Sequence, residues 1–257
     1  MLDFLLDTEI EYTKCFSKYF EDEKIIRFRD DNICDMYAHN YTLVKCVMAD
    51  QEVEEIISQE IMQSKSECKK FLQVQCNFHI SSEVLNSLEI KPEVSIQDYM
   101  YIASNKFSTL GGNNECTIKV ADTENVMEDG TRIDIQANSP AMGEVFAIKR
   151  IKRKVMAYKA ENNLNFFICY NKNNVPVGNC ELFFNKTTAK IEDFDILKQY
   201  QRKGFGTYVL KELLKLAYSF GVEWVFVLTD SEDTAKEMYG KCGFLKTGAK
   251  TILNFQL

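Results

Sequence analysis

The stretch Gln201-Arg202-Lys203-Gly204-Phe205-Gly206 decides the fold of this 257-residue chain. A strand-like segment, Lys190 to Leu197, precedes it, and an amphipathic helical pattern, Thr207 to Ala217, follows it. Glycines in a turn between a strand and a helix let the backbone approach a ligand, and the helix N-terminus offers N–H groups to an anion. The stretch therefore predicts a site for a phosphate-bearing ligand.

The spacing of the glycines excludes two common phosphate-binding turns. A P-loop requires Gly-x-x-x-x-Gly-Lys-Ser/Thr, and the sequence contains no such stretch. A dinucleotide-binding turn requires a third glycine where this chain has Val209, and an acidic partner after a second parallel strand. What remains is the form Gln/Arg-x-x-Gly-x-Gly, placed between a strand and a helix.

This form resembles the pyrophosphate loop of the GNAT superfamily of acyl-CoA-dependent N-acyltransferases. Residues 191–197 are similar to the family's fourth strand, with Ile196 five residues before Gln201, where the family usually has Val or Ile. Downstream, a buried strand pattern at Val222–Leu228 leads to Met238-Tyr239-Gly240-Lys241-Cys242-Gly243-Phe244, which is similar to the family's closing motif. Two motifs in the family's order are more specific than either motif alone.

The resemblance implies an α/β (α+β) fold for residues 116–257, with a mixed, mostly antiparallel central sheet flanked by helices. The polar residues 105–115, which include Gly111-Gly112, are predicted to be a linker. Residues 1–104, where helix and strand patterns alternate, are predicted to be an N-terminal α/β domain. One interpretation of this first domain is a degenerate copy of the same fold, as in tandem members of the superfamily; we find no phosphate loop in it.

Local signals predict several elements of the C-terminal domain. Ser139-Pro140 predicts the start of a long helix, with serine as N-cap and proline at the first helical position. This helix carries the basic run Lys149 to Lys154, which we interpret as a solvated helix face; the alternative is a surface for an acidic substrate or partner. Residues 165–170 and 177–184 are predicted to form a hairpin around the turn at 171–174.

Transfer of an acetyl group from a thioester to an amine has three chemical needs: a proton acceptor for the amine, polarisation of the carbonyl, and a proton for the leaving thiolate. The resemblance makes Tyr239 the candidate acid, and its alternative role is that of a packed aromatic residue. Two strand carboxylates, Glu192 and Glu181, are candidates for the base, and Glu192 is preferred.

The preference for Glu192 depends on the regularity of its strand. On a regular strand its side chain lies on the same face as Phe194 and Ile196, while Asp193 and Asp195 point to the other face. The alternative for any one strand carboxylate is an exposed, solvated group.

Acetyl-CoA is the cosubstrate that the resemblance implies. Its contacts are carried over onto the end of the fourth strand and the loop: Asp195, Ile196, Gln201, Arg202, Lys203, Gly204, Phe205, Gly206 and Thr207. The family often has Asn three residues before the alanine of the fourth helix, and this chain has Glu232 there. This departure implies either that cofactor binding is altered or that Ser231 takes over the contact.

The net charge and the amino-acid composition indicate which partners and which cellular location to expect. The net charge of −7 argues against nucleic acid as a main partner and favours a cationic acceptor, either a small-molecule amine or a protein amine. Nine scattered cysteines without a Cys-x-x-Cys indicate reduced thiols and a cytoplasmic location. The two histidines lack metal-ligand spacing, so no metal is expected. The acidic N-terminal residues are unlike a signal peptide, and no apolar run is long enough to span a membrane.

The sequence thus predicts an N-acetyltransferase that moves an acetyl group from acetyl-CoA to a primary amine by direct attack. The N-terminal domain is expected to shape the acceptor side or to form a homodimer contact. The rival prediction is a catalytically silent acyl-CoA-binding sensor or interaction module, which Glu232 and the lack of a clear base favour. A third is a structural protein with an empty cleft.

Overall fold

Seven α-helices and eleven β-strands make up the part of the chain that the structure, a computed structural model, describes: residues 2–160, 163–232 and 234–257. The helices are α1 (Leu2–Lys14), α2 (Asp50–Ser66), α3 (Ser82–Ser87), α4 (Glu124–Met142), α5 (Glu144–Ala160), α6 (Phe205–Ser219) and α7 (Ala235–Lys241). The strands are β1 (Lys18–Glu21), β2 (Ile25–Arg29), β3 (Thr42–Val44), β4 (Phe71–Cys76), β5 (Glu93–Ala103), β6 (Cys116–Val120), β7 (Leu164–Asn171), β8 (Pro176–Asn185), β9 (Thr188–Ile196), β10 (Trp224–Asp230) and β11 (Leu245–Gln256).

Two compact units, interleaved along the chain, divide these elements. The first unit consists of Met1–Cys15, Met100–Val227 and Met238–Leu245. The second consists of Phe16–Tyr99, Leu228–Glu237 and Lys246–Leu257. Each unit therefore draws on both halves of the sequence, and residues 105–115, the predicted linker, fall within the first unit.

The first unit is built on a sheet with the strand order β10-β9-β8-β7-β6. Strands β6 to β9 are antiparallel neighbours, and β7 and β8 form the predicted hairpin. Strand β10 runs parallel to β9, with Trp224 opposite Thr188 and Val227 opposite Ile191, and α6 makes the crossover between them. The predicted mixed, mostly antiparallel sheet flanked by helices is confirmed.

The helical region before β7 is divided differently from the prediction. Helix α4 continues through Pro140 to Met142, and Gly143, with φ of +81°, separates it from α5. The Ser139 hydroxyl donates to the carbonyl of Ile135 one turn back, so this serine bonds within α4 and caps no new helix. The prediction that Ser139-Pro140 begins the long helix is therefore wrong, because the left-handed glycine provides the actual break.

The second unit contains strands in the order β1-β2-β3-β4-β11. Strands β1 to β3 are antiparallel, and β3 and β4 are parallel neighbours connected by α2. The apolar face of α2, with Val53, Ile57 and Ile61, packs in a core with Val74 and Leu253 of the sheet. Three antiparallel strands, a helix and a parallel strand follow in the same order as β7-β8-β9-α6-β10 of the first unit.

Buried charges join α4, α5, β8 and β9 within the first unit. The Arg150 guanidinium donates to both carboxylate oxygens of Asp134, at 3.0 and 2.9 Å, and also to Asp193. The Lys154 ammonium donates to Asp193 and to Glu181. Although burial opposes ionisation of Asp193, Arg150 and Lys154 lower the pKa of this carboxyl. The basic run on α5 is therefore not simply a solvated face, because two of its cations are buried ion-pair partners.

Two tyrosines complete this buried network around Glu181. The Tyr12 hydroxyl of α1 donates to Glu181 Oε2 at 2.6 Å, and the Tyr158 hydroxyl donates to Oε1. Since Glu181 is fully buried and bound on both oxygens, it serves as a packing and hydrogen-bonding centre. Its predicted alternative role as a base would require these bonds to be broken.

The network predicts a large difference between two lysines of α5. Lys154→Ala leaves the buried carboxylates of Glu181 and Asp193 short of a cation, so it should lower the free energy of unfolding by about 3–5 kcal/mol. Lys152→Ala, at an exposed position two residues away, should change it by less than about 0.5 kcal/mol. Urea unfolding of both variants measures this, and equal effects would contradict the network's structural role.

Candidate functional site

The glycine loop between β9 and α6 turns through two left-handed residues. Arg202 has φ of +58°, and Gly204, the N-cap of α6, has φ of +80°. The Gln201 side-chain amide donates to the carbonyl of Ile196 at 2.8 Å, which ties the loop to the end of β9. Left-handed residues within a turn direct successive backbone N–H groups to one side and make a concave anion-binding surface.

Helix α6 begins directly at this turn. The N–H groups of Phe205, Gly206 and Thr207 occupy the first helical positions, which have no acceptor within the helix itself. The first turn of α6 contains no acidic residue, and the exposed side chains of Arg202 and Lys203 precede it. Backbone dipoles and side-chain charges both favour an anion here, so the loop has the electrostatics of a phosphate site.

A segment of the predicted linker supports this turn. The Asn113 N–H donates to the carbonyl of Gly204 at 3.0 Å. Gly112 has φ of +106°, and a Cβ atom on it would lie 2.5 Å from the backbone nitrogen of Tyr208. The close approach requires a glycine, and the 112–113 segment therefore braces the first turn of α6.

Strand β9 is irregular next to the loop. Its parallel pairing with β10 ends at Ile191 and Val227, while β9 continues to Ile196. Its register with β8 shifts between Asn179 and Glu181, so two residues of β9 lie opposite Cys180. Asp193, at this bulge, has φ of +46°. A bulge bends the strand and moves the following side chains to the other face.

The bulge overturns the predicted side-chain directions along β9. Glu192 lies opposite Glu181, and Asp195 lies opposite Asn179, so their side chains share one face of the sheet. Asp193 reaches the Lys154 ammonium on this same face. The expectation that Asp193 and Asp195 point away from Glu192 is wrong, because it assumed a regular strand.

Glu192, the predicted base, forms an ion pair. Its Oε2 lies 2.6 Å from the ammonium of Lys190, which also lies 2.7 Å from Glu9 of α1. Burial acts to lower the pKa of Lys190, but the charges of Glu192 and Glu9 outweigh it and raise this pKa. Glu192 therefore shares a permanently charged partner with a second carboxylate.

Asp195 has a different environment at the end of β9. Its Oδ2 accepts a hydrogen bond from the Asn138 amide of α4 at 3.2 Å. Burial, followed by the nearby charges of Asp193 and Asp134, raises the pKa of Asp195 to about 6. Its carboxyl can therefore exchange a proton near neutral pH.

Tyr239, the predicted acid, is buried in α7, with its ring 5.5 Å from that of Phe244. The neighbouring Met238 packs toward Gly206, because a Cβ atom on this glycine would lie 3.4 Å from the methionine sulfur. The Thr207 side chain hydrogen-bonds with the thiol of Cys242, one turn beyond Met238. The structure thus brings this part of α7 to the start of α6.

Ser231 and Glu232 lie in the second unit, in the turn after β10. The Ser231 N–H donates to the carbonyl of Ile96 at 3.0 Å, and the Glu232 N–H donates to the Asp230 side chain at 2.9 Å. The acidic sequence Asp230-Ser231-Glu232-Asp233 predicts a helix start, whereas helix α7 begins at Ala235; Asp233 lies outside the described residues.

Several residues that shape the site were missed in the sequence. Gly112 was interpreted as part of a linker, although its Gly-Gly pair marks a position with special backbone needs. Asn138 has no local signal in the sequence, whereas Asn179 has one, because an asparagine within the apolar strand pattern 177–184 is an unusual strand residue.

The described residues contain no group of three or more His, Cys, Asp or Glu side chains arranged to hold a metal ion. In the same residues, no helix is both long and apolar enough to cross a membrane.

Comparisons with known proteins agree with this geometry. Residues 136–244 match the sequence model of the acetyltransferase (GNAT) family. The uncharacterized N-acetyltransferase CgeE of Bacillus subtilis (strain 168) is 38% identical over 128 residues. That alignment covers 48% of this chain and 49% of CgeE, so it spans about half of this relative's length.

Two solved structures share the fold over most of the chain. A functionally unknown conserved protein from Staphylococcus epidermidis ATCC 12228 has a TM-score of 0.79 at 18% identity, covering 93% of this chain and 94% of that one. A GCN5-related N-acetyltransferase from Kribbella flavida has a TM-score of 0.72 at 12% identity, covering 98% and 94%. The matched segment, residues 136–244, includes the glycine loop, both parallel strands and the helix of Tyr239, so over this segment the chain is similar to the acetyltransferase (GNAT) family.

Proposed function

We propose that this protein is an N-acetyltransferase that binds acetyl-CoA at residues 201–207 and transfers its acetyl group to a primary amine. The turn through Arg202 and Gly204 into α6 carries this proposal. It combines left-handed backbone, a helix N-terminus and nearby cations, which suit a pyrophosphate group. The similarity of residues 136–244 to the acetyltransferase (GNAT) family supplies the reaction class.

The proposed roles follow from position. The N–H groups of Phe205, Gly206 and Thr207 bind the pyrophosphate, and the backbone of Asp195 and Ile196 contacts the pantetheine arm. Tyr239 protonates the departing sulfur, which is supported by the packing of its helix against Gly206. Glu192 remains a prediction for the general base. Ser231 remains a prediction for a further contact to the cofactor.

An acyl-CoA-binding sensor is the second candidate, and the ion pair of Glu192 with Lys190 favours it. A base that is held by a cation is poorly placed to accept a proton from an amine. The two functions differ in one measurement: a sensor binds acetyl-CoA but does not consume it across a broad panel of primary amines.

The proposal also covers the cellular location of the protein and the kind of acceptor it uses. Exposed thiols at Cys34, Cys46 and Cys68 favour a reducing compartment, which supports a cytoplasmic location. The acceptor is proposed to be a small-molecule or protein amine, since the net charge of −7 attracts cations. Neither a metal ion nor nucleic acid has a part in the proposal, and a homodimer stays open.

The cofactor site is tested first by thermal unfolding with and without acetyl-CoA. A ligand at a hundred times its dissociation constant should stabilise the protein by about 2.7 kcal/mol. Absence of any shift at millimolar acetyl-CoA would contradict both the enzyme and the sensor.

Charge reversal tests which residues hold the cofactor. Lys203→Glu places a negative charge beside the bound pyrophosphate, which should cost about 2 kcal/mol and weaken acetyl-CoA binding roughly thirtyfold. Lys215→Glu makes the same charge change in the last turns of α6 and should leave the affinity unchanged. Calorimetric titration measures both, and equal losses would show a general charge effect in place of a local site.

Gly204→Glu is a less clean variant, since φ of +80° makes any side chain there strained.

The brace under the loop is tested with two adjacent glycines. Gly112→Ala should weaken acetyl-CoA binding at least about tenfold, because the new Cβ atom displaces the first turn of α6. Gly111→Ala is the matched control, since no atom lies within 4 Å of its Cβ position. The same titration compares them, and equal affinities would show that the 112–113 segment does not position the loop.

Removal of one hydroxyl tests Tyr239. Tyr239→Phe keeps the ring that packs on Phe244, so thermal stability should stay close to that of the parent protein. Loss of the proton donor should lower kcat about 100-fold with little change in KM for acetyl-CoA. An unchanged kcat would leave Tyr239 with a packing role only.

A further inference from the structure

A small polar site lies on the α4 side of the sheet, where β8 and β9 pair next to the bulge. Asn179 and Asp195 are directly opposite each other, so their side chains leave the same face. The Asn138 amide of α4 donates to Asp195 Oδ2 at 3.2 Å and to the carbonyl of Asp134 at 3.0 Å. These two hydrogen bonds hold the Asn138 side chain next to the Asp195 carboxylate.

Asn179 contributes a buried acceptor that is not satisfied. This residue is 1% exposed, and its amide nitrogen donates to the carbonyl of Asp193 at 3.2 Å. The bond fixes the amide orientation, and its Oδ1 atom has no hydrogen-bond donor among the described residues. A buried, unsatisfied carbonyl costs about 1–3 kcal/mol, so a structure that keeps one needs a reason for it.

The two acceptors call for a ligand that supplies N–H groups. Asn179 Oδ1 and the Asp195 carboxylate both accept hydrogen bonds, and the carboxylate also attracts a positive charge. A primary ammonium group satisfies both acceptors at once and leaves one N–H for the remainder of the site. An anionic ligand would instead face Asp195 together with Asp193 and Asp134.

Charges from three elements set the proton affinity of Asp195. Burial, Asp193 on β9 and Asp134 on α4 raise its pKa to about 6, while the hydrogen bond from Asn138 and the charge of Arg150 on α5 act to lower it. A carboxylate with this pKa is ionised at neutral pH and still binds a proton well enough to take one from an ammonium group in an active site.

We propose that Asp195 and Asn179 bind the acceptor amine as its ammonium form, and that Asp195 is the group that removes its proton. The inference rests on the proposed acetyltransferase function and deepens it by naming the acceptor site. Asp195 takes one proton from the ammonium, and the freed nitrogen lone pair attacks the thioester carbonyl. The C–N bond forms and the C–S bond breaks. Tyr239 gives its proton to the departing sulfur and receives in return the second proton that the nitrogen loses. Asp195 then returns its proton to solvent.

Glu192 is less suited to this role. Its carboxylate already binds Lys190, which Glu9 holds from α1, and a proton on Glu192 would weaken that ion pair. Asp195, by contrast, accepts a hydrogen bond from the neutral amide of Asn138. The bulge at Asp193 is what turns Asp195 to this face.

The first test is the pH dependence of kcat/KM for whichever primary amine of the panel is acetylated. Asp195→Asn should lower kcat/KM at pH 7.5 at least about 100-fold, abolish the acidic limb near pH 6, and leave KM for acetyl-CoA unchanged. Asp122→Asn, an exposed aspartate of the same unit, should keep both the rate and the limb. Retention of the limb in Asp195→Asn, or its loss in Glu192→Gln alone, would overturn the inference.

The second test reports on the site without turnover. The side-chain amide signal of Asn179 is followed by NMR in the CoA-bound protein while n-butylamine is added. The signal should move in the parent protein and stay in place in Asp195→Asn. If no amine is acetylated but the signal moves, acetyl transfer fails as a function and the amine site stands. If the signal does not respond, the amine site is overturned.

A stability measurement shows that Asp195→Asn folds. Because the pKa of Asp195 is raised on folding, its contribution is most favourable below the unfolded value and is lost as the pH rises through about 6. Asp195→Asn should therefore match or exceed the Tm of the parent protein at pH 8, with the difference shrinking toward pH 5.

Discussion

The attraction of Arg150 and Lys154 for Asp193 is the interaction on which the rest of the first unit depends. Asp193 adopts φ of +46°, a conformation that a non-glycine residue keeps only when its surroundings determine it. Arg150 and Lys154, two buried cations of α5, pair with the Asp193 carboxylate and fix this conformation. They hold the bulge, and the bulge sets the direction of every side chain from Asp193 to Ile196. Two cations of α5 thus decide which face of the sheet the side chains at the end of β9 point to.

The second unit shows the same succession of strands and helix without the loop chemistry. Helix α2, which takes the place of α6 between two parallel strands, has Ala49 as its N-cap and Asp50 and Glu52 in its first turn. Acidic residues at a helix N-terminus repel a phosphate that the helix dipole would otherwise attract. The topology supports the interpretation of a degenerate copy, and the acidic first turn makes the N-terminus of α2 a poorer phosphate site than that of α6.

The parts of the structure that local sequence determines were predictable. The loop at 201–206 and the β7–β8 hairpin depend on glycine spacing, turn residues and strand patterns that neighbouring positions encode. The bulge at Asp193 and the burial of Arg150 depend on partners far along the chain. The spacing of residues in the sequence does not reveal such partners. A basic residue of α5 therefore has the same sequence pattern whether it is solvated or paired with a buried carboxylate. The polar site around Asn179 was missed for this reason.

The interleaving of the two units has a consequence for biosynthesis. Strand β4 is paired by β11, with Cys76 opposite Thr251, and both strands belong to the second unit. The ribosome therefore releases the N-terminal residues long before their last strand exists. Pairing over such a separation in sequence is slow, and until it occurs the β4 edge offers unpaired backbone groups to other chains. Nascent chains of this protein should consequently need protection by chaperones until β11 has been translated.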